Sequence, residues 1–116
     1  MTDPEVSMNN AQLMRFGLPE EAILEIQSVL ILYPEVEKAI LYGSRAMGNF
    51  KPGSDIDLTL IGEKLSHNHL LGLMSDLDDL LLPWLIDLSI FTTLDHPGLR
   101  EHIERVGQVL YEREGK

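Results

Sequence analysis

Short apolar runs alternate with segments of helical periodicity along most of this chain, and this alternation constrains the fold more than any other feature. The apolar runs at 39–42 and 56–61 are short enough to be buried strands. The other predicted elements are helices from Pro19 to Pro34, 66–82 and 97–106, a third strand at 84–91 and a weakly signalled fourth strand at 109–111. This order predicts an α/β layered domain built on a small mixed sheet of three to four strands.

Length and composition narrow the classes of protein further. The chain has 116 residues, no cysteine and a formal net charge of −10. We expect a flexible arm at 1–18 followed by one domain at 19–116. The missing cysteines exclude thiol catalysis and cysteine-ligated metals, and the acidic balance disfavours strong non-specific binding of nucleic acid. The sequence carries neither a long apolar run nor a signal peptide, so we expect a cytoplasmic protein without a membrane partner.

Paired acids in the second predicted strand are the first indication of chemistry. In the run from Asp55 to Leu60, apolar residues occupy every second position, so Asp55 and Asp57 project together from the other face. At a separation of ~5 Å and an effective dielectric of about 20, two such charges repel by about 3 kcal/mol. Asp87 occupies the corresponding face of the third strand. If these strands are neighbours, three carboxylates converge, and hard oxygen ligands of this kind suit Mg²⁺.

A glycine-serine pair lies upstream of these acids and suggests a phosphate site. Gly43 and Ser44 follow a predicted strand and open a short segment, where backbone amides and the serine hydroxyl can receive phosphate oxygens. Arg45 and Lys51 are close enough in sequence to add positive charge, and the alternative for either is a solvated surface position.

Each of these residues also has an ordinary structural interpretation. The paired acids could cap local backbone, Asp87 could be a solvated acid of an edge strand, and Gly43-Ser44 could be a simple turn. The four histidines show no metal-site spacing, and we expect surface or helix-start positions for them. Leu71 and Leu82 lie off the main apolar stripe of the leucine-rich helix, so core packing and a partner patch are both open for them.

Taken together, Gly43-Ser44-Arg45-Ala46-Met47-Gly48 and Ser54-Asp55-Ile56-Asp57-Leu58 resemble the signature of the DNA polymerase β-like nucleotidyltransferase superfamily. Over about residues 19–111 the chain is similar to its minimal nucleotidyltransferase (MNT) branch, whose antitoxins pair with HEPN-domain proteins. One departure is Met47, where members often carry a basic residue. The resemblance implies the polymerase β-like palm fold.

The resemblance also implies an activity and roles for individual residues. A hydroxyl would attack the α-phosphorus of ATP with the help of two Mg²⁺ ions. Asp55, Asp57 and Asp87 would be the catalytic, metal-holding acids. Gly43, Ser44, Arg45 and Ser54 would be the nucleotide-binding residues.

Three functions follow from this resemblance. The preferred one is Mg²⁺-dependent transfer of AMP to a tyrosine of a HEPN toxin, which makes the protein an antitoxin. The second is a non-catalytic module that neutralises its partner by stoichiometric binding. The third is transfer to a small molecule such as an aminoglycoside, which the absence of a predicted acceptor domain disfavours.

Overall fold

The computed structural model describes residues 14–114, and helices alternate with strands throughout that range. The elements are α1 (Glu20–Leu30), β1 (Lys38–Tyr42), α2 (Ser44–Met47), β2 (Ile56–Ile61), α3 (His67–Asp78), β3 (Ile86–Ile90), a 3₁₀ turn (Phe91–Thr93), α4 (Pro97–Val106) and β4 (Gln108–Glu112). The predicted order of elements is confirmed, and β2 and α4 have the predicted bounds. The weakly signalled fourth strand is present as β4.

The four strands form one mixed sheet in the order β3-β2-β1-β4. The central strand β1 runs antiparallel to both β2 and β4. Strands β2 and β3 run parallel, and α3 makes the crossover between them that a parallel pair requires. The α/β fold with a small mixed sheet is therefore confirmed.

One face of the sheet carries the hydrophobic core. Every second residue of β2 points to this face, and Ile56, Leu58 and Leu60 are fully buried there. The helices α1 and α3 cover this face. In each helix the buried residues recur at helical spacing and form an apolar stripe that packs against the sheet. The buried members from α1 and α3 are Ala22, Ile23, Ile26, Val29, Leu30, Leu73 and Leu77. The opposite face of the sheet is thus left for polar residues and α4.

Two histidines cap the N-terminal ends of helices. Ser66 and His69 form a capping box at α3, in which the His69 N–H donates to Ser66 Oγ at 3.3 Å and the Ser66 N–H donates to His69 Nδ1 at 3.1 Å. At α4, the Leu99 N–H donates to His96 Nδ1 at 3.0 Å. The helix-start positions predicted for histidines are confirmed for these two residues.

The packed domain begins earlier than residue 19. Most of the predicted arm, 1–13, lies outside the described residues, as do 115–116. However, Leu18 is fully buried in the core, and Arg15 and Leu18 exchange backbone hydrogen bonds of 2.9 and 2.8 Å. Residues 15–18 therefore belong to the domain, because a buried leucine anchors them to it.

Candidate active site

The predicted acids lie together at one end of the polar face of the sheet. Asp57 of β2 and Asp87 of β3 are register partners in the parallel pair. Asp55 lies two residues before Asp57, so the extended backbone directs it to the same side. Asp55 and Asp87 are exposed, whereas Asp57 is partly buried between them. The condition on which the three acids were expected to come together, that β2 and β3 are neighbours, is therefore met.

The carboxylates repel one another in this arrangement. Burial raises the pKa of Asp57, and the negative charges of Asp87 and Asp55 raise that pKa further. His102 opposes this effect, since its charge lowers the same pKa. A cation at this end of the sheet would relieve the repulsion.

The acids are neighbours but do not form a ready-made metal cluster. Over residues 14–114, no group of three or more histidine, aspartate or glutamate side chains is drawn together closely enough to hold a metal ion. The three carboxylates are thus neighbours on the sheet, but they do not converge into a metal-binding cluster as predicted. The donor set still fits Mg²⁺, because that ion is usually bound by one or two carboxylates and completes its shell with water and substrate phosphates.

The Gly43-Ser44 turn lies directly against Asp57. Gly43 has a φ of +79°, and a Cβ atom at this position would lie only 2.4 Å from Asp57 Oδ2. Only glycine combines this backbone conformation with such a close approach. The single helical turn of α2 follows, with the Met47 N–H donating to the Gly43 carbonyl at 3.1 Å. Glycine at 43 therefore brings a backbone turn and a carboxylate into contact.

Arg45 has a structural position that differs from the predicted one. Its side chain is only 2% exposed. The guanidinium donates to the Phe16 carbonyl at 2.9 Å, to the Ser54 carbonyl at 2.9 and 3.1 Å, and to the Pro52 carbonyl at 3.3 Å. A phosphate would have to compete with these carbonyls. These contacts tie Arg45 to the loop that leads into β2. Its predicted role in binding nucleotide stays a prediction.

Aromatic rings enclose the same guanidinium. The Arg45 Cζ atom lies 5.0 Å from the ring centroid of Phe50 and 5.7 Å from that of Trp84. Ser54 belongs to this loop as well, since its hydroxyl accepts the Lys51 N–H at 2.9 Å. The loop between α2 and β2 is thus fastened at several points, and Asp55 follows directly from it.

Two residues of the site were not predicted from the sequence. Tyr42 is the register partner of Asp57 on β1, and it is only 8% exposed. Burial raises its pKa, and the charges of Asp87 and Asp57 raise it further. The position of Tyr42 could have been inferred from the sequence, because it ends a strand immediately before Gly43.

His102 is the second of these residues. The Gly43 N–H donates to His102 Nε2 at 3.3 Å, and the imidazole meets the Tyr42 ring edge-on, with centroids 6.3 Å apart. The expectation of a surface or helix-start position is wrong for this histidine. Its spacing with Leu99, Ile103 and Val106 is that of an inward helical stripe, which was the available signal.

The two leucines considered for a partner patch differ in exposure. Leu71 is 50% exposed on α3. Leu82 is half-buried and packs against the core. Only Leu71 is thus available to a partner to a substantial degree. None of the helices within 14–114 has the length and apolarity needed to cross a bilayer.

Comparison with solved structures finds the same fold in toxin-antitoxin complexes. The structure described as a toxin-antitoxin with AMP-PNP matches at a TM-score of 0.64 and 21% identity, covering 79% of this chain and 74% of that one. A tri-AMPylated Shewanella oneidensis HEPN toxin in complex with an MNT antitoxin matches at 0.55 and 18%, covering 80% and 74%. A putative nucleotidyltransferase from Sulfolobus solfataricus matches at 0.52 and 18%, covering 80% and 78%.

Sequence comparisons give the family. No curated protein sequence matches this chain. The family model described as "Polymerase beta, Nucleotidyltransferase" matches residues 25–116, which include Gly43, Ser44 and all three acids of the site. This match spans most of the chain, and the protein therefore belongs to the polymerase β nucleotidyltransferase family.

Proposed function

We propose that this protein is a Mg²⁺-dependent nucleotidyltransferase that moves AMP from ATP to a tyrosine hydroxyl of a HEPN-domain partner and thereby acts as its antitoxin. The observation that carries the proposal is the placement of the Gly43 turn against Asp57, with Asp87 as the register partner of Asp57. A phosphate-binding turn beside paired carboxylates is the arrangement that nucleotidyl transfer requires, because both the triphosphate and its cations must be held together.

The residues divide into a phosphate side and a metal side. The Gly43 amide and the Ser44 hydroxyl bind the β- and γ-phosphates of ATP. Asp55, Asp57 and Asp87 would hold the Mg²⁺ ions. When bound, Mg²⁺ would neutralise phosphate charge and stabilise the entering and leaving oxygens. Positioning the α-phosphorus between these two sides is the main contribution of the protein to catalysis.

The reaction exchanges one bond to phosphorus for another. The tyrosine oxygen of the partner attacks the α-phosphorus and forms a new P–O bond. The bond from the α-phosphorus to the oxygen that bridges to the β-phosphate breaks, and pyrophosphate leaves with that oxygen. The phenolic proton passes to a carboxylate oxygen of Asp87, which lies exposed at the edge of the site. AMP remains on the partner as a phosphodiester.

The choice of a protein acceptor has support from the solved structures of similar fold. One of them holds an AMPylated HEPN toxin with an MNT antitoxin, and another is a toxin-antitoxin with AMP-PNP. The net charge of −10 also favours an acceptor delivered on a basic protein surface over free nucleic acid.

The test is transfer of label from α-labelled ATP to a co-expressed HEPN-domain protein in the presence of Mg²⁺. We expect wild type to label the partner and Asp57→Asn to lose nearly all transfer. Asp95→Asn is the matched control, because Asp95 is an exposed acid that precedes α4 and lies outside the site. It should transfer as wild type does.

Two other results would replace the proposal. Neutralisation of the partner without any label, unchanged in Asp57→Asn, would establish the stoichiometric binding module. Equal transfer to a free aminoglycoside, with no gain from a protein partner, would establish the small-molecule transferase.

A further inference from the structure

The imidazole of His102 contacts the proposed phosphate-binding turn at Gly43. Its Nε2 accepts the Gly43 N–H at 3.3 Å, and this amide is the one that the proposed function assigns to phosphate. The histidine is 59 residues away in sequence and reaches the turn from α4. The donor of the phosphate site is therefore satisfied by a side chain in this structure.

The position of the ring is defined by more than this one hydrogen bond. The imidazole stands nearly perpendicular to the Tyr42 ring, with an interplanar angle of 81°. The ring is also close enough to Asp57 that, when protonated, it would lower the pKa of that carboxyl. His102 thus lies next to the turn that the proposed function assigns to the triphosphate tail, and Asp57 lies against the same turn.

A phosphate oxygen that takes the Gly43 N–H must displace Nε2 from it. The ring remains beside the turn after this exchange, because α4 carries it and Tyr42 limits its movement. Phosphate oxygens accept hydrogen bonds and do not donate them. While Nε2 accepts the Gly43 N–H, the neutral ring carries its proton on Nδ1. Once a phosphate oxygen has taken that N–H, exchange with water can move the ring proton to Nε2, which then donates to the phosphate. Contact between the displaced ring and the phosphates is then favourable.

We propose that His102 is a triphosphate-binding residue, which holds the Gly43 amide in the free protein and donates to the β- or γ-phosphate of the bound nucleotide. This inference rests on the proposed function, since it assumes that ATP binds at Gly43. It adds a side chain from α4 to the site and predicts selectivity for the triphosphate tail over the nucleoside monophosphate.

The test compares the affinities of His102 variants for ATP and AMP, each with Mg²⁺, by isothermal titration calorimetry. We expect His102→Ala to bind ATP about tenfold more weakly, the loss of one charge-assisted hydrogen bond. AMP binding should not change. His102→Gln, which keeps an N–H near the place of Nε2, should recover part of the ATP affinity. His102→Phe, which keeps an aromatic edge against Tyr42, should not.

The controls separate a phosphate contact from packing. His67→Ala removes an exposed histidine at the start of α3 and should leave both affinities unchanged. Thermal unfolding of each variant reports whether the fold is intact.

Three outcomes would overturn the inference. The first is ATP affinity in His102→Ala equal to or tighter than that of wild type. The second is an equal loss for ATP and AMP. The third is full recovery by His102→Phe. Failure of wild type to bind ATP at all would remove the proposed function together with this inference, so the two failures are distinguishable.

Discussion

Gly43 and Asp57 are in such close contact that a single added methyl group cannot fit between them. A Cβ atom on Gly43 would lie 2.4 Å from Asp57 Oδ2, and the backbone at Gly43 has a φ of +79°. The turn and the carboxylate therefore have to be considered as one unit, and substitutions on either side should disturb both.

Substitution of Gly43 tests this contact directly. We expect Gly43→Ala to reduce both ATP binding and transfer by at least about a hundredfold, because the methyl group displaces Asp57 and the backbone leaves its left-handed conformation. Titration calorimetry and single-turnover transfer measure the two losses.

Gly48 supplies a matched control for the Gly43 substitution. It has a φ of +86° but nothing within 4 Å of an added Cβ. Gly48→Ala therefore introduces backbone strain without a clash. If Gly48→Ala impaired ATP binding as severely as Gly43→Ala, strain alone would account for the effect and the contact with Asp57 would be unimportant.

The raised pKa of Asp57 predicts a pH-dependent stability difference. Because folding raises the pKa of Asp57, the neutral carboxyl is better accommodated in the folded state than the carboxylate is. Its contribution to stability is therefore complete at pH values below the unfolded pKa, about 3.9, and is lost as the pH rises through the folded pKa. In EDTA at about pH 7, Asp57→Asn should therefore need more urea to unfold than wild type does. The difference should shrink as the pH falls toward about 4.

Urea midpoints across this pH range are the measurement, with Asp95→Asn as the control for losing one negative charge. A gain for Asp57→Asn that is the same at every pH, or that grows as the solution is acidified, would contradict the assigned repulsion among the acids.

The contacts of Arg45 predict that its replacement by lysine, a nominally conservative substitution, causes a large loss of stability. Lysine carries three N–H donors on one ammonium and has no planar group. It therefore cannot reproduce the four hydrogen bonds that the Arg45 guanidinium makes to three carbonyls, or its packing against the rings of Phe50 and Trp84. We expect Arg45→Lys to lower the free energy of unfolding by about 2 kcal/mol or more, because buried carbonyls lose their donors. Chemical denaturation measures this loss.

Arg105→Lys is the comparison for Arg45→Lys. Arg105 pairs with Glu101 on the surface of α4, and both side chains are more than half exposed. This change should cost less than about 0.5 kcal/mol. Similar small costs for both variants would show that the Arg45 contacts contribute little to stability.

The backbone conformation of Leu81 predicts that replacing this residue by glycine stabilises the protein. It has a φ of +58° although it is not glycine, and its side chain is 87% exposed. The left-handed conformation costs a non-glycine residue about 1 kcal/mol, so Leu81→Gly should raise the free energy of unfolding by up to that amount. A thermal scan should show a gain of a few degrees. Leu81→Ala keeps the strained backbone and should gain nothing, so an equal gain in Leu81→Ala would point to the apolar side chain instead.

The sequence by itself determined the elements and the faces of the strands. The alternation of Ile56, Leu58 and Leu60 with Asp55 and Asp57 depends only on the two-residue repeat of an extended chain, so it can be read from neighbouring positions. The bounds of β2 and α4 agree because strand periodicity, helical periodicity and the proline at the first position of α4 are likewise local features of the sequence. The glycine-serine turn and the paired acids could likewise be assigned to one site from their local pattern.

Only the tertiary structure decided which of these faces meet. The place of β4 beside β1, the packing of Trp84 against Arg45, and the contact of His102 with Gly43 all depend on segments far apart in sequence. Local periodicity indicates that a side chain points inward, but it does not indicate which residue that side chain contacts. Arg45 could be placed near the phosphate turn by spacing, yet its hydrogen bonds go to the carbonyls of Pro52 and Ser54 in the following loop and to that of Phe16 before α1. Spacing alone does not indicate these partners, because the folded chain decides which acceptor each buried polar group meets.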